Sequence, residues 1–358
     1  MDAVRRIRQA GGHSPDLHRR MAALGWLAIG LPEEYGGAGG DALDLAVLHE
    51  EIGRGLVPGA HTATMMAAQV LLALGTGEQR TTLLPAIAAG DLVVAAGPGH
   101  PAASPLGEPS HPRVTLNSDA DGLLTGTSYF VPYAASADYL LVLAEPCLPE
   151  GGAADPWLFL VDTRQEAVRI RNLATLTGEP SATVEFSGAR AEAVGSERGK
   201  EDPQRHLNRS ALASCAAWVG AAQRLIDATL VHLRQRVQYG RPLGSFQVLQ
   251  YRMLDLVIEV DHARLLTYHA ASLVRDHTDD ESDIAMAQLS AAQAYAHVAD
   301  ETVHLHGGYG VAMENDLALF YLQSKDAVAS VGPPDDQLAR VARFLHDRAI
   351  GHPSQTGR

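Results

Sequence analysis

The spacing of apolar residues changes twice along this chain of 358 residues. Residues 1–91 show helical spacing in four segments, HSPDLHRRMAALGW, ALDLAVLHEEIGRG, TMMAAQVLLALG and EQRTTLLPAIAAG. In the first segment, Ser14 stands at an N-cap position and Pro15 at the first helical position. The glycine-rich stretch LPEEYGGAGGD between the first two segments indicates a loop. The pattern therefore predicts an N-terminal helical domain over residues 1–91.

From residue 92 the apolar residues fall into short runs rich in β-branched and aromatic side chains, separated by Gly, Pro, Ser and Asp. The runs are LVVAAG, HPRVTLN, LLTGTSYFV, DYLLVLAE, PWLFLVDT, AVRIRNL and SATVEFSGA. Many short strands with turn signals between them are typical of a β-sandwich or a small barrel. We therefore expect a middle β domain over residues 92–202. The Pro/Gly/Ser-rich stretch 97–112 is long for a loop, which indicates a functional or disordered segment.

Helical spacing returns at residue 203. Apolar residues recur at three and four from Leu212 to Leu233, and again from Phe246 to Val260. IAMAQLSAAQAYAHVADETVHLHGG and DDQLARVARFLHDRAIG add a third and a fourth helix. Four antiparallel helices predict a C-terminal helical bundle over residues 203–358. The expected fold class is therefore α+β and multidomain, with a helical domain, a β domain and a four-helix bundle in that order.

Composition narrows the class of protein. The formal net charge is −14, from 28 Lys and Arg against 42 Asp and Glu, which argues against a nucleic-acid partner. No run is apolar enough to span a bilayer, and the N-terminus lacks the apolar core of a secretory signal. Cys147 and Cys215 cannot form a disulfide framework. These features predict an acidic, soluble, cytoplasmic protein without a membrane partner.

One polar stretch between two apolar helices stands out as candidate chemistry. RQRVQYGRPLGSFQ places Arg236, Tyr239 and Gln247 in a connection where a short turn would suffice. Arginine offers a planar fork of donors that suits phosphate, and glutamine offers an amide donor and acceptor. The residues alone leave two readings open, a solvated turn or a site for an anion. His304 and His306 lie two apart on a helix and make a poor metal pair, so we predict no metal site.

Four segments in order resemble the acyl-CoA dehydrogenase family over nearly the whole chain. They are LGWLAIGLPEEYGGAGG, LLTGTSYFVPYAASADYLLVLA, RVQYGRPLGSFQ and HLHGGYGVAMENDLALFY. The last two are similar to the Arg-x-x-Phe-Gly…Gln and Gln-x-x-Gly-Gly-x-Gly signatures of the family. The resemblance implies FAD as the cofactor, an acyl-CoA thioester as the substrate, and removal of a proton and a hydride from its α and β carbons. It also implies dimers of dimers.

The resemblance gives the polar stretch a role. In the family, the pyrophosphate and adenosine end of FAD reaches the last domain of a neighbouring subunit. The matching positions here are Arg236, Tyr239 and Gln247, together with Gly307 and Gly308. Glycines there would let the backbone approach a ligand, although a Schellman-like helix cap at Gly307 is the alternative. From the same family segments, His304 and Phe130 complete the set of cofactor-binding candidates.

The resemblance fails where the family places its catalytic base. A Glu-Gly-Thr-like turn usually carries the glutamate, and the matching turn here is SVGPPDD, with Val331 at the glutamate position. A minority of members place the base on the helix before the Phe-Gly turn, and residues 228–244 contain no Asp or Glu. Asp335 and Asp336 are weak candidates after a loop shift, but both also suit the first turn of the last helix. We therefore assign no catalytic residue.

The family's flavin-side positions differ as well. A Trp-Ile-Thr-like triplet reads Phe130-Val131-Pro132, and proline has neither a hydroxyl nor a backbone N–H to donate to the flavin. The loop that cradles flavin and thioester in the family reads AAGPGHPAAS here, and the family's Arg-Asp pair is Leu322-Gln323.

The loss is selective, because the positions that would reach a neighbour's flavin are kept. The chain therefore resembles the base-less subunit of bacterial heteromeric acyl-CoA dehydrogenases that act on steroid side chains. We expect an α2β2 partner, a catalytic acyl-CoA dehydrogenase subunit, which shares its FAD with this chain. Two alternatives stay open: a stand-alone enzyme of this fold with altered chemistry in a natural-product pathway, or a scaffold that binds neither flavin nor thioester.

Overall fold

The structure is a computed structural model that describes residues 1–96, 115–116, 122–146, 156–195 and 202–332, with positions 334, 335, 338, 339, 341, 342 and 346 beyond. Its helices are α1 Asp2–Gln9, α2 Pro15–Ala23, α3 Ala42–Gly55, α4 His61–Leu74, α5 Gly77–Ala89, α6 Pro203–Ser210, α7 Leu212–Gln235, α8 Gln247–Arg275, α9 Glu281–His306 and α10 Asp316–Val331. Its strands are β1 Val94–Ala96, β2 Thr115–Leu116, β3 Leu123–Pro132, β4 Tyr139–Pro146, β5 Trp157–Asp162, β6 Val168–Leu173, β7 Ser181–Arg190, β8 Glu192–Ala193, β9 Val237–Gln238 and β10 Arg241–Pro242. The order helices, strands, helices confirms the predicted fold class.

The predicted helix starts are made by local side chains. Ser14 Oγ accepts a hydrogen bond from the backbone N–H of Leu17 at 3.2 Å, which caps α2 ahead of Pro15. Thr76 and Gln79 form a reciprocal capping box at the start of α5. These bonds satisfy backbone donors that a helix cannot satisfy itself, so the sequence signals and the observed helix starts agree.

The strands form a sheet in the order β6-β7-β3-β2-β4-β5-β8, with β1 parallel to β4. Most neighbouring pairs are antiparallel, and β4 pairs with β5 from Tyr139↔Asp162 to Ala144↔Trp157. Six of the seven predicted strands are present. Of the seventh, HPRVTLN, only β2 lies within the described residues, and the stretch 97–112 lies outside them. The register of β3 on β7 shifts between Ser128 and Val131, which marks a bulge.

Strand β5 is buried on both faces, because each face packs into a different core. Phe159 and Val161 belong to a cluster of sheet residues that includes Leu124 and Phe186. The alternate residue Leu158 belongs to a second cluster built with residues of α4 and α5. Side chains of a strand point alternately to opposite faces, so a run that is apolar at every position is what this double burial requires.

The chain divides into two compact units, residues 1–45 with 57–210 and residues 46–56 with 211–358. In the second unit, α9 packs against α7, α8 and α10. The second half of α3 crosses α7 where Gly53 meets Gly220, and Arg264 of α8 contacts Glu50 at 3.0 Å. The boundaries predicted at residues 91 and 202 remain predictions.

Helix α10 differs from the sequence-based expectation. We predicted the fourth bundle helix over 335–351, whereas residues 316–331 form a helix that the periodicity did not reveal. Asn315 caps it, accepting a hydrogen bond from the N–H of Leu317 at 3.2 Å. The stretch 335–351 lies mostly outside the described residues, although described positions such as Leu338 and Val341 are helical. Among the described helices, none is long and apolar enough to cross a membrane.

Candidate functional site

The connection between α7 and α8 is a tight hairpin. Helix α7 ends at Gln235, and its C-cap residue Arg236 donates from the backbone N–H to the carbonyl of His232 at 2.8 Å. Strands β9 and β10 then pair through Tyr239 and Gly240, which both have left-handed backbones with φ of 55° and 77°. Two successive positive φ values are typical of a two-residue hairpin turn. The tip therefore holds Tyr239 away from the bundle.

Aromatic and cationic groups cluster on this hairpin. The Tyr239 side chain is 92% exposed and meets Phe246 edge to face, with ring centroids 6.2 Å apart. The guanidinium carbon of Arg241 lies 4.1 Å from the centroid of the Phe246 ring, within cation–π range. Phe246 thus organises both neighbours, and the phenol ring of Tyr239 remains open to solvent.

The start of α8 is rich in donors. Its N-cap residue Phe246 supplies no side-chain cap, and the first turn contains no acidic residue. The unpaired N–H groups of a helix start carry partial positive charge, which favours an anion. Arg236 is exposed beside this start, and within the described part of the chain it forms no ion pair. Gln247 donates from Nε2 to the Tyr251 hydroxyl at 2.6 Å. The structure therefore places three of the predicted residues, Arg236, Tyr239 and Gln247, on one donor-rich connection.

The glycines at the end of α9 differ in what they do. Gly307 is the C-cap with φ 64° and ψ −149°, a region that is essentially restricted to glycine. It therefore ends the helix, but without the left-handed geometry of the Schellman alternative. A Cβ on Gly310 would lie 2.8 Å from the carbonyl oxygen of Val303, so packing requires that glycine. A Cβ on Gly308 would meet no atom of the described residues within 4 Å, and His304 is exposed nearby.

The structure also brings together two histidines that the motifs did not single out. The rings of His232 and His306 lie 4.1 Å apart, centroid to centroid, with their planes at 30°. Burial lowers the pKa of both imidazoles, and for His232 the neighbours His306 and Arg236 lower the pKa further. The two residues are 74 positions apart, so no local pattern links them. The sequence did offer one indication, because each histidine lies in the last turn of a predicted helix, close to a motif residue.

These residues fit the pyrophosphate and adenosine end of FAD. A fork of guanidinium donors, an uncapped helix start and an amide side chain suit a doubly charged diphosphate. The exposed ring of Tyr239 offers a flat surface for a base, and the open space at Gly308 permits close approach of a ligand.

The position predicted for the catalytic base holds a buried apolar side chain. Val331 is the last residue of α10 and is buried, so it lies at a helix end and not in the turn that we expected. Gly332 follows it with φ 82°. Asp335 is exposed, whereas Asp336 lies outside the described residues. Leu322 and Gln323, at the positions of the family's Arg-Asp pair, lie on α10. Over the described residues, no group of three metal-ligating side chains is placed to hold a metal ion.

Phe130 lies in the β3 bulge. Its backbone is left-handed with φ 54°, and its side chain is 64% exposed. Val131 turns into the sheet core, and Pro132 pairs with Ser181 of β7. A left-handed non-glycine residue is a strained conformation that often marks a functional site. Of the loop predicted to face flavin and thioester, AAGPGHPAAS at residues 95–104, the first two residues lie in β1 and the rest lies outside the described residues.

Comparison with known proteins gives the family. The model of the acyl-CoA dehydrogenase N-terminal domain matches residues 1–91, and the model of the C-terminal domain matches residues 197–346. The acyl-CoA dehydrogenase IpdE2 of Mycolicibacterium smegmatis is 28% identical over 332 residues, 92% of this chain and 88% of that protein.

Solved structures agree with this result. A variant of the Tcur3481-Tcur3483 steroid ACAD superposes with a TM-score of 0.86 at 29% identity, over 97% of this chain and 93% of that one. The ChsE4-ChsE5 complex from Mycobacterium tuberculosis gives a TM-score of 0.85 at 28% identity, over 99% and 94% of the two chains. With both ends of the sequence matched and the fold in agreement, the chain belongs to the acyl-CoA dehydrogenase family, whose members bind FAD.

Proposed function

We propose that this chain is the non-catalytic subunit of a heteromeric acyl-CoA dehydrogenase, where it completes the FAD site of a catalytic partner. One contrast carries the proposal. The donor-rich connection around Arg236 is exposed, while the position predicted for the base is the buried side chain of Val331. A valine cannot accept the α proton, so the base would come from the partner.

The chemistry divides between the two subunits. FAD, when bound, supplies the acceptor for the hydride from the β carbon of the acyl group. The residues of this chain would bind and orient it: Arg236 and the start of α8 would neutralise the diphosphate, and the exposed ring of Tyr239 would offer the adenine a flat surface. A cofactor held by charge-assisted bonds from both subunits dissociates more slowly than one held by a single subunit.

The surface of α8 supports a protein partner. Four apolar side chains, each more than half exposed, lie at helical spacing on one face: Tyr251, Leu254, Ile258 and Leu265. Next to them, an apolar cleft of about 330 Å³ opens between α7 and α8, lined by residues that include Leu249, Met253 and Leu254. Exposed apolar side chains at this spacing favour an interaction surface, which the exposed carboxylates of Asp255 and Asp261 border. Because the face begins at the hairpin, a subunit covering it would also reach the FAD-binding residues.

The relatives suggest the kind of complex and of substrate. Two of the similar structures are described as a steroid ACAD with two components and as a two-component complex. We extend this to an α2β2 assembly that oxidises an acyl-CoA, with a steroid side chain as the acyl group.

Flavin absorbance tests the proposal. The chain purified alone should be colourless, and co-expression with an acyl-CoA dehydrogenase that retains its glutamate base should give a stable yellow complex. A yellow, active protein without a partner would overturn the proposal and favour the stand-alone enzyme. A chain that recruits no flavin with any partner would leave only the scaffold.

A matched pair of variants tests the contact itself. Arg236→Ala in the complex should weaken FAD retention by about 1.5–3 kcal/mol, because a charge-assisted bond is lost. Arg275→Ala removes the same charge at the far end of α8 and should leave flavin content unchanged. Equal flavin content in both variants would contradict the assigned role of Arg236.

A further inference from the structure

The contact between His232 and His306 joins the two segments that carry the FAD-binding residues. His232 lies in the last turn of α7, and its carbonyl accepts from the N–H of Arg236 at 2.8 Å. His306 is the last residue of α9 and is followed directly by Gly307. Ring centroids 4.1 Å apart therefore link the end of α7 to the end of α9.

Hydrogen bonds to buried threonines lie beneath the two rings. His306 Nδ1 lies 2.8 Å from the carbonyl oxygen of Thr302, so Nδ1 carries the proton that it donates. The hydroxyl of Thr302 meets that of Thr229 at 3.1 Å, and Thr229 lies one turn before His232. Both threonines are fully buried. The hydrogen bond to the Thr302 carbonyl holds the His306 ring in one orientation against His232.

Burial opposes protonation of the pair. It is the largest cause of the lowered pKa of each ring; His306 and the guanidinium of Arg236 lower the pKa of His232 further, whereas the hydrogen bond to the Thr302 carbonyl raises that of His306. The other ionisable groups on these helix ends are Arg234 and His304, both exposed. The two rings are therefore neutral at about pH 7.

We propose that the His232–His306 pair, the histidine clamp, holds Arg236 and Gly308 at the spacing that the diphosphate half of FAD requires, and that protonating the pair opens it. This inference rests on the proposed function. The two histidines are positioning residues, because they act through Arg236 and the glycines and not on the reacting atoms.

The sign of the pH dependence follows from the lowered pKa values. The stacked arrangement is fully present above the ordinary histidine value near 6.5 and is lost as the pH falls below it. Two positive rings in contact, next to Arg236, repel each other. Retention of FAD should therefore decrease as the pH decreases. Histidines that bind phosphate directly would instead increase retention as the pH decreases.

The flavin content of the reconstituted complex at about pH 7.5 and about pH 5.5 tests the clamp. The native complex should lose FAD roughly five- to tenfold more readily at the lower pH. His306→Phe, which keeps a stacked ring without a charge, should retain FAD across this range. His277→Asn serves as the control, since it replaces an exposed histidine with φ 56° in the α8–α9 turn, and it should follow the native complex.

Each other outcome decides the matter. Identical pH profiles for the native and His306→Phe complexes, or retention that rises in acid, would overturn the clamp and leave the proposed function standing. A native complex that holds no FAD at either pH would overturn both the clamp and the proposed function.

NMR titration of the isolated chain needs no partner. His306→Phe keeps a ring against His232 and should raise the pKa of His232, because the His306 imidazole is one of the groups that lower it. An unchanged His232 titration in this variant would also reject the clamp.

Discussion

At Gly308, a substitution can test ligand binding without disturbing the packing of the chain. A Cβ there meets no described atom, and its φ is not in the left-handed region. Gly308→Ala should therefore keep or slightly raise the melting temperature of the isolated chain, because alanine lowers the entropy of the unfolded state. In the complex, the same methyl group should reduce FAD retention by obstructing close approach of the ligand.

Gly77→Ala on α5 is the control for Gly308→Ala, since its Cβ also meets nothing. It should keep or slightly raise the melting temperature for the same reason, and it should leave the flavin content unchanged. Full flavin retention in Gly308→Ala would mean that the open space serves no ligand.

His18 predicts acid sensitivity of the first unit. The ring is 4% exposed, and neither nitrogen has a hydrogen-bond partner among the described residues. Burial, reinforced by His13, lowers its pKa to about 4. The neutral ring is thus the native form, and its contribution to stability is lost as pH falls from the unfolded value of 6.5 through 4. The loss is on the order of 3 kcal/mol.

Urea unfolding at about pH 7 and about pH 5 measures this effect. His18→Leu should flatten the pH dependence, and His269→Leu, at an exposed position on α8, should leave it as in the native chain. An equally steep pH dependence in His18→Leu would assign the acid sensitivity to other groups.

The crossing of α3 and α7 depends on two glycines. A Cβ on Gly53 would lie 1.8 Å from the carbonyl oxygen of Ala217, and one on Gly220 would lie 1.8 Å from that of Glu50. Gly220→Ala should therefore destabilise the chain by about 3 kcal/mol or more, because a backbone must move. Thermal unfolding measures the loss, again with Gly77→Ala as the control. A melting temperature close to the native value would show that the two helices separate easily.

Periodicity predicted helix α3 and missed helix α10, whose buried positions are mixed. Helix α3 was predicted over its observed residues, Ala42–Gly55, because its apolar positions recur at helical spacing. The first turn of α10 buries Leu317, Ala318, Leu319 and Phe320 in succession, and Ser324 is buried one turn later, so the apolar residues alone do not show the helical period. Its segment was instead assigned to a family motif.

The candidate site was predictable only where local sequence carries it. Arg236, Tyr239 and Gln247 share one short connection, and their chemistry can be recognised without a structure. The histidine clamp joins residues 74 positions apart through tertiary packing, and the burial of Val331 depends on where α10 ends. Neither follows from spacing along the chain.

For the whole molecule, the proposed partner surface on α8 makes a prediction about assembly. Ile258→Asp places a charge in the exposed apolar face and should reduce co-purification of the catalytic subunit at least about tenfold. The isolated variant should unfold at the native temperature, because exposed substitutions change stability by about 0.5 kcal/mol or less. Pull-down with a tagged partner measures the first effect, and calorimetry the second.

Val47→Asp is the control for assembly, since Val47 is similarly exposed on α3 and lies outside the α8 face. Undiminished co-purification with Ile258→Asp would place the partner elsewhere.

Helix α3 belongs to both compact units: residues 42–45 group with the first and residues 46–56 with the second. During synthesis the ribosome delivers this half-helix more than a hundred residues before α7 emerges to receive it. A C-terminal fragment that begins at residue 203 would therefore lack residues 46–56 of the second unit. Gly220 of α7 would then have no helix α3 to pack against. In the nascent chain, this part of α3 has no packing partner on α7 until the residues around Gly220 have been synthesised.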